Sequence, residues 1–221
     1  MRLIKLTIIV LFLPIYMSAQ NAEVGVFAGI TNYLGEFVGT DLTLKESRPA
    51  AGIFLRHHFN SKLAIRGAFN FGVIKGDDDN FDDNRRRDFS FKSSMYDLTG
   101  VIEYSFLSKY KSDEEGVFEK GFSPYIYAGF GLVNTNPSVT LANGKRLTKE
   151  ELDASNMHIS LPIGLGLKFD ISERMVLGAE ATLRATFSDY LDGLSESGNP
   201  DEDDLYWMAG LTLSYRFDTK K

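Results

Sequence analysis

Apolar and polar residues alternate along much of this chain, most clearly between His158 and Phe169. Every second residue from Ile159 to Phe169 is apolar, and the positions between them are polar, small or proline. Alternate side chains of a β-strand point to opposite faces, so this segment predicts a strand with one wholly apolar face. Its length is close to the roughly 9–11 residues with which a tilted strand crosses a bilayer.

The same alternation recurs in seven further segments. It is clear in Leu63–Val73, Met175–Phe187 and Leu205–Phe217. It is weaker in Glu23–Ile30, Ala50–Phe59, Phe89–Phe106 and Ser123–Val133. An even number of strands returns both chain ends to one side of a membrane, as in bacterial outer-membrane barrels. We therefore predict an all-β fold, an eight-stranded antiparallel up-and-down transmembrane β-barrel of the outer-membrane type.

The lengths of the connections support this prediction, because such barrels have short periplasmic turns and longer outer loops. Asn60–Lys62 and Asp170–Arg174 are short. The long, polar connections are Thr31–Pro49, Ile74–Asp88, Asn134–Met157 and Ser188–Asp204. Leu107–Phe122 breaks the rule, since it is long but falls on the short-turn side. It is predicted to be a solvated charged loop, with docking of a periplasmic partner as the alternative.

The first nineteen residues have the features of an export signal. Arg2 and Lys5 precede the apolar run Leu6–Tyr16, and small residues stand before a cleavage site at Gln20. We predict a signal peptide at residues 1–19 and a barrel domain at residues 20–221. The alternatives are an N-terminal membrane helix or a buried strand.

Composition excludes several kinds of function. The chain has no cysteine, which rules out a disulfide framework, thiol catalysis and a lipoprotein anchor. The formal net charge of −6 argues against a nucleic-acid partner, which requires a basic face. The acidic stretch at residues 76–83 lacks the glycine and terminal glutamate of a helix–loop–helix calcium site, so a solvated loop is predicted. No metal or other cofactor is expected.

Several charged residues fall on the inward faces of the predicted strands. They are Arg66, Glu103, Lys168, Glu180, Arg184 and Arg216. An eight-stranded barrel has room only for its own side chains, and an unpaired buried charge is very costly. We predict that these residues form an internal salt-bridge network, with an ion path as the alternative. Inward glycines at 129, 131, 164 and 166 are expected to leave space for the long charged side chains.

The pair His158 and Ser160 raises the question of catalysis. Some eight-stranded outer-membrane enzymes that trim lipid A carry a histidine and a serine two residues apart on a strand, facing lipid. Here the alternation places both residues inside the barrel, away from lipid. We therefore expect a non-enzymatic protein.

Five short stretches resemble the PorG family, outer-membrane barrel components of the type IX secretion system. They are Thr31–Glu36, Arg48–Gly52, Arg87–Phe91, Pro162–Phe169 and Thr186–Asp192, and they occur in the family's order. The pairing of Tyr33-Leu34-Gly35 with Phe187–Asp192 is the most specific.

The resemblance implies a structural subunit of the outer membrane that associates with a periplasmic ring, built from a lipoprotein and its partner protein. The ring assists protein export and, in some bacteria, gliding motility. One or several copies would sit in a large complex. The predicted order of strands places such a contact on the short-turn side of the barrel. The residues there are Asn60, Lys62, Lys109, Tyr110, Lys111, Asp170 and Arg174. The rival readings are an adhesive or envelope-stabilising barrel, a lipid A-modifying enzyme, and a soluble periplasmic β-sandwich.

Overall fold

The computed structural model describes residues 21–34, 47–77, 90–107, 121–140, 146–147, 157–186 and 205–217. The strands are β1 (Ala22–Leu34), β2 (Arg48–His58), β3 (Leu63–Asp77), β4 (Ser90–Ser105), β5 (Phe122–Thr140), β6 (Arg146–Leu147), β7 (Met157–Asp170), β8 (Met175–Thr186) and β9 (Leu205–Phe217). No helix in the described part of the chain is long and apolar enough to cross a membrane.

The sheet closes on itself. Apart from β6, each strand pairs in antiparallel fashion with the next one along the chain, so that β4 pairs with β5 and β5 with β7. The first and last strands also pair, from Ala22↔Phe217 to Leu34↔Leu205. The two-residue β6 pairs only with Val139 and Thr140 of β5, so it extends one hairpin and adds no strand to the wall. The wall therefore has eight strands, and the predicted eight-stranded antiparallel barrel is confirmed.

The two faces of the wall have opposite character. Ile53, Ile163 and Leu165 are each at least 60% exposed on the outside, whereas Glu23 and Glu103 are 0% exposed inside. This is the reverse of a water-soluble protein, which rarely exposes contiguous apolar patches beyond a few hundred Å². The outer face is suited to lipid.

Several aromatic pairs lie at one end of the cylinder. This end, here called the short-turn end, carries the turns at Phe59–Lys62 and Ile171–Arg174; the opposite end is the long-loop end. At the short-turn end the ring centroids of Phe122 and Phe169 are 5.0 Å apart, and those of Tyr215 and Phe217 are 5.1 Å apart. Aromatic girdles of this kind mark the membrane–water interfaces of transmembrane barrels.

Several strands extend further than the alternation predicted. β1 continues to Leu34 rather than Ile30, β3 to Asp77 rather than Val73, and β5 to Thr140 rather than Val133. The extra residues pair with a neighbour, as in Asp77↔Ser90 and Thr140↔Ser90. Their pairing needs no apolar outer face, so alternation fails to detect it where polar residues such as Asn134 point outward.

Several sequence predictions lie outside the described residues. These are the signal peptide at residues 1–19, the acidic stretch after Asp77, and most of the four long connections. Lys109, Tyr110 and Lys111 lie there too, within the long connection on the short-turn side.

Candidate functional site

Several charged side chains form a buried ionic cluster inside the barrel, near the short-turn end. Its central carboxylate is Glu103 on β4, which is fully buried. Glu103 accepts hydrogen bonds from Lys168 Nζ at 2.7 Å and from Arg56 Nη2 at 3.2 Å. It also forms an ion pair with Arg66, whose Nε lies 3.0 Å from the carboxylate. These cations come from three other strands, because inward positions at the same height converge on the axis of a narrow barrel.

Two further carboxylates complete the ionic cluster, which we define as Glu23, Arg56, Arg66, Glu103, Lys168 and Glu180. Glu23 pairs with Arg56, accepts from Ser214 Oγ at 2.6 Å, and lies 3.0 Å from His58 Nε2. Glu180 accepts from Arg66 Nη1 at 2.6 Å and from the hydroxyl of Tyr125 at 2.8 Å. Three carboxylates thus face three cations, so the cluster is formally neutral and each buried charge has a partner.

Aromatic rings enclose the same cations. Arg66 lies 4.6 Å from the ring centroid of Tyr127, and Lys168 lies 4.2 Å from that of Tyr125. A cation over an aromatic face gains electrostatic attraction, and this grows when water is excluded.

A second ion pair, Arg184 with Asp97, lies farther toward the long-loop end. On β4, Val101 separates Glu103 from Asp97, and Phe27, Phe54 and Tyr127 are buried at the same middle level. The cavity that remains there is about 10 Å³, roughly the space of one water. The described side chains around this cavity therefore leave room for little more than one water molecule.

The structure places all six sequence-predicted charged residues inside the barrel. Arg66, Glu103, Lys168 and Glu180 meet in the ionic cluster. Arg184 pairs with Asp97, and Arg216 lies 3.2 Å from Asp170 and 3.8 Å from Glu23.

The network predicted from the sequence lacks Glu23, Arg56 and Asp97. Glu23 and Arg56 lie on strands whose alternation is blurred, because the inward residues Phe27 and Phe54 are as apolar as the outward ones. The short turn between β2 and β3 fixes the register in which these two strands pair, and this register indicates that Arg56 belongs to the network. It puts Arg56 directly opposite Arg66, a like-charge pair that requires acids nearby.

The expected role of the inward glycines is wrong. A Cβ at Gly164 would collide with the ring of Tyr127, and one at Gly166 with the ring of Tyr125. A Cβ at Gly129 would meet the backbone of β4, and one at Gly131 would meet Ser160 and Thr99. The glycines therefore make room for two tyrosine rings and a neighbouring strand rather than for charged side chains.

This packing yields a stability prediction with a matched control. Gly164→Ala is expected to destabilise the barrel by about 1–3 kcal/mol, since the added methyl displaces the Tyr127 ring in a filled interior. Gly100→Ala on the outer face meets nothing within 4 Å and should be neutral or slightly stabilising. Urea unfolding of both variants in lipid vesicles measures the difference; equal midpoints would contradict the packing described here.

The proposed partner-contact residues have differing surroundings. Asn60 Oδ1 accepts from the backbone N–H groups of Lys62 and Leu63, both at 2.8 Å, so its side chain shapes the turn. Arg174 donates to the hydroxyl of Tyr215 at 3.0 Å, and both Lys62 and Arg174 are exposed. Asp170 requires a correction: it ends β7 rather than lying in the turn, and it is paired inward with Arg216.

His158 and Ser160 face the lumen, as the alternation predicted, with 4% and 0% exposure. Thr135 Oγ1 lies 3.5 Å from His158 Nε2, while Ser160 Oγ has no hydrogen-bond partner among the described residues. In that same part of the chain, no group of three histidine, cysteine or acidic side chains is arranged to hold a metal ion.

A closed cylinder with an apolar exterior and a charged lining defines a small β-barrel of the outer-membrane type. The chain belongs to the family described as "Domain of unknown function (DUF6089)", whose profile matches residues 2–221. No curated protein sequence matches it.

Solved structures share the fold. Neisserial surface protein A matches with a TM-score of 0.51 and 14% identity, over 89% of this chain and 97% of that one. The outer membrane protein OprG of Pseudomonas aeruginosa gives a TM-score of 0.47 and 10% identity, over 90% and 98%. Ail of Yersinia pestis, in complex with the heparin analogue sucrose octasulfate, gives 0.46 and 14%, over 87% and 97%. At such identities the likeness concerns the fold alone.

Proposed function

We propose that this protein is a non-enzymatic structural subunit of the outer membrane that holds a periplasmic assembly through its short-turn end. The observation that carries the proposal is the sealed interior. Glu103 binds three cations in the ionic cluster, and the cavity at the middle level has a volume of about 10 Å³. A barrel that conducts nothing through its middle acts through its rims and its outer face.

The short-turn end is the better candidate for a partner contact. It presents exposed Lys62 and Arg174 close to a recess with polar and apolar lining residues, on a wall whose strands are linked by the ionic cluster. A rigid wall lowers the conformational entropy lost when a partner docks, which favours binding.

We assign the assembly to the type IX secretion system. The support is the resemblance to the PorG family, of which Arg48–Gly52 lies on β2 and Pro162–Phe169 on β7. In this assignment the partner is the periplasmic ring built from a lipoprotein and its partner protein. The export signal predicted at residues 1–19 fits the same location.

Site-specific photo-cross-linking in intact cells tests this proposal. A photoreactive amino acid at Lys62 or Arg174 should give adducts with a periplasmic lipoprotein or its partner protein. The same group at Met157, which is 64% exposed at the long-loop end, should not. A barrel that cross-links to no periplasmic protein from either short-turn position, and purifies alone from detergent extract, would contradict the proposal and favour an adhesive or envelope-stabilising role.

A further inference from the structure

The outer face of the barrel carries an apolar groove of about 790 Å³, here called the outer groove. It crosses the wall from β4, through β5, β7 and β8, to β9, and its lining includes Ile102, Ile163, Leu165, Ala181 and Trp207. Two rows of outward side chains form its sides, and the strand backbones between the rows form its floor.

The strand registers produce the two rows. Outward residues that follow each other on one strand, such as Ile163 and Leu165, are about 7 Å apart, so the rows have this spacing. Ala128 interrupts one row and Ala181 the other, and each leaves a gap between larger side chains. One row contains Ile102, Ala128, Ile163, Leu183 and Trp207, and the other contains Tyr104, Ile126, Leu165 and Ala181.

The outer groove presents hydrocarbon along most of its length. None of the described residues that line it is charged. Tyr127 and Thr182 line it from inward positions, and their hydroxyls hydrogen-bond to each other inside the barrel. The indole N–H of Trp207 is buried, so the polar group at the rim is the hydroxyl of Tyr104, near the short-turn end of β4. A matching ligand is apolar except at the end that lies beside Tyr104.

The dimensions of the outer groove distinguish between apolar occupants. From β4 to β9 it crosses four strand spacings of about 4.8 Å, roughly 19 Å in all. This is comparable with the hydrocarbon of one leaflet, about 15 Å thick in a bilayer core of about 30 Å. A helix is roughly 10–12 Å in diameter and would rest on the rows without filling the space between them. A flexible hydrocarbon chain fills that space and gains dispersion contacts with both rows.

We infer that the outer groove holds one acyl chain of a phospholipid from the leaflet at the short-turn end. The headgroup lies beside Tyr104, whose ring centroid is 5.5 Å from that of Phe106 in the aromatic girdle of this end. From there the chain runs obliquely along the wall, and its methyl end lies near Trp207. The inference goes beyond the proposed function and does not depend on any periplasmic partner.

Trp207 is the only tryptophan of the chain and lines the outer groove, so its fluorescence reports on the occupant. The full-length barrel, purified in detergent and stripped of native lipid, is titrated with a phospholipid whose chains carry bromine near the methyl end. Bromine quenches a nearby indole, and we expect saturable quenching at one phospholipid per barrel, with one retained phospholipid in native mass spectrometry. The same phospholipid with bromine near the carbonyl should quench less strongly.

Substitutions that fill the outer groove assign the signal to it. Ala181→Phe should raise the midpoint of the phospholipid titration about tenfold, the effect of losing roughly 50 Å² of apolar contact. Ala128→Phe fills the gap in the other row and should act in the same direction. Ala51→Phe is the matched control, because Ala51 is exposed on the outer face of β2 outside the groove, and it should leave the midpoint unchanged. Heat-modifiable gel mobility shows that each variant is folded.

Three results would overturn the inference: no saturable quenching of Trp207, equal midpoints for the folded groove variants and Ala51→Phe, or stronger quenching by bromine near the carbonyl than near the methyl end. The first and third need only the unaltered protein, so they apply even if a groove variant fails to fold. The periplasmic contact is tested separately by cross-linking from Lys62 and Arg174, and neither experiment prejudges the other.

Discussion

Glu103→Gln is expected to lower the free energy of unfolding by about 3–5 kcal/mol, the cost of breaking a buried ion pair by removing one partner. The glutamine has nearly the same size and retains an acceptor oxygen, so the loss reports charge rather than volume. Arg56, Arg66 and Lys168 all lie within 3.0 Å of the Glu103 carboxylate and would share only Glu23 and Glu180. Urea unfolding in lipid vesicles, followed by heat-modifiable gel mobility, measures the change.

Two further variants show whether the charge itself is responsible. Glu173 lies on an exposed turn. The substitution Glu173→Gln should therefore lower the free energy of unfolding by at most about 1 kcal/mol. Adding Lys168→Met to Glu103→Gln removes one of the excess cations and should restore part of the lost stability, a coupling that a double-mutant cycle quantifies. If Glu103→Gln unfolds at the same urea concentration as Glu173→Gln, the ionic cluster is not what stabilises the interior.

The barrel could be predicted from the sequence because a lipid-facing wall imposes strict alternation. On β7 every outward position from Ile159 to Phe169 is apolar, and the structure exposes Ile163 and Leu165 as expected. A one-residue register slip would turn all these side chains inward, so the pattern fixes both the strand and its orientation.

The strand ends could not be predicted in this way. Asn134 and Asn136 belong to β5, yet their polar side chains resemble those of a loop. They remain in the strand because β4 pairs with them, through Tyr96↔Asn134 and Ser94↔Asn136. Such pairing depends on a distant segment of the chain and leaves no local periodicity.

The sequence predicts which charged residues point inward, but not which of them pair. Arg66 and Glu180 are 114 residues apart and form a 2.6 Å contact that closure of the cylinder creates. Alternation shows that both point inward, but the height at which they meet follows from the strand registers. The positions of Tyr125 and Tyr127, packed over Gly166 and Gly164, were hidden for the same reason.

Ile163→Arg is expected to cost about 2–4 kcal/mol in lipid, the penalty for arginine on the outer face at the middle of a bilayer. Ile163 is 63% exposed and lies near the middle of β7. The matched change Met157→Arg puts the same side chain at the end of the same strand, where 64% of Met157 is exposed. There the arginine reaches the headgroups, so the expected cost is about 0–1 kcal/mol.

The central claim is that the apolar exterior of this closed cylinder lies in lipid. The most direct test is the difference in unfolding free energy between Ile163→Arg and Met157→Arg, measured by urea titration in vesicles. Lipid contact predicts that the Ile163 variant is less stable than the Met157 variant by about 1–4 kcal/mol. Equal stabilities, with both variants folded in buffer without detergent, would mean that Ile163 faces water and would contradict the account.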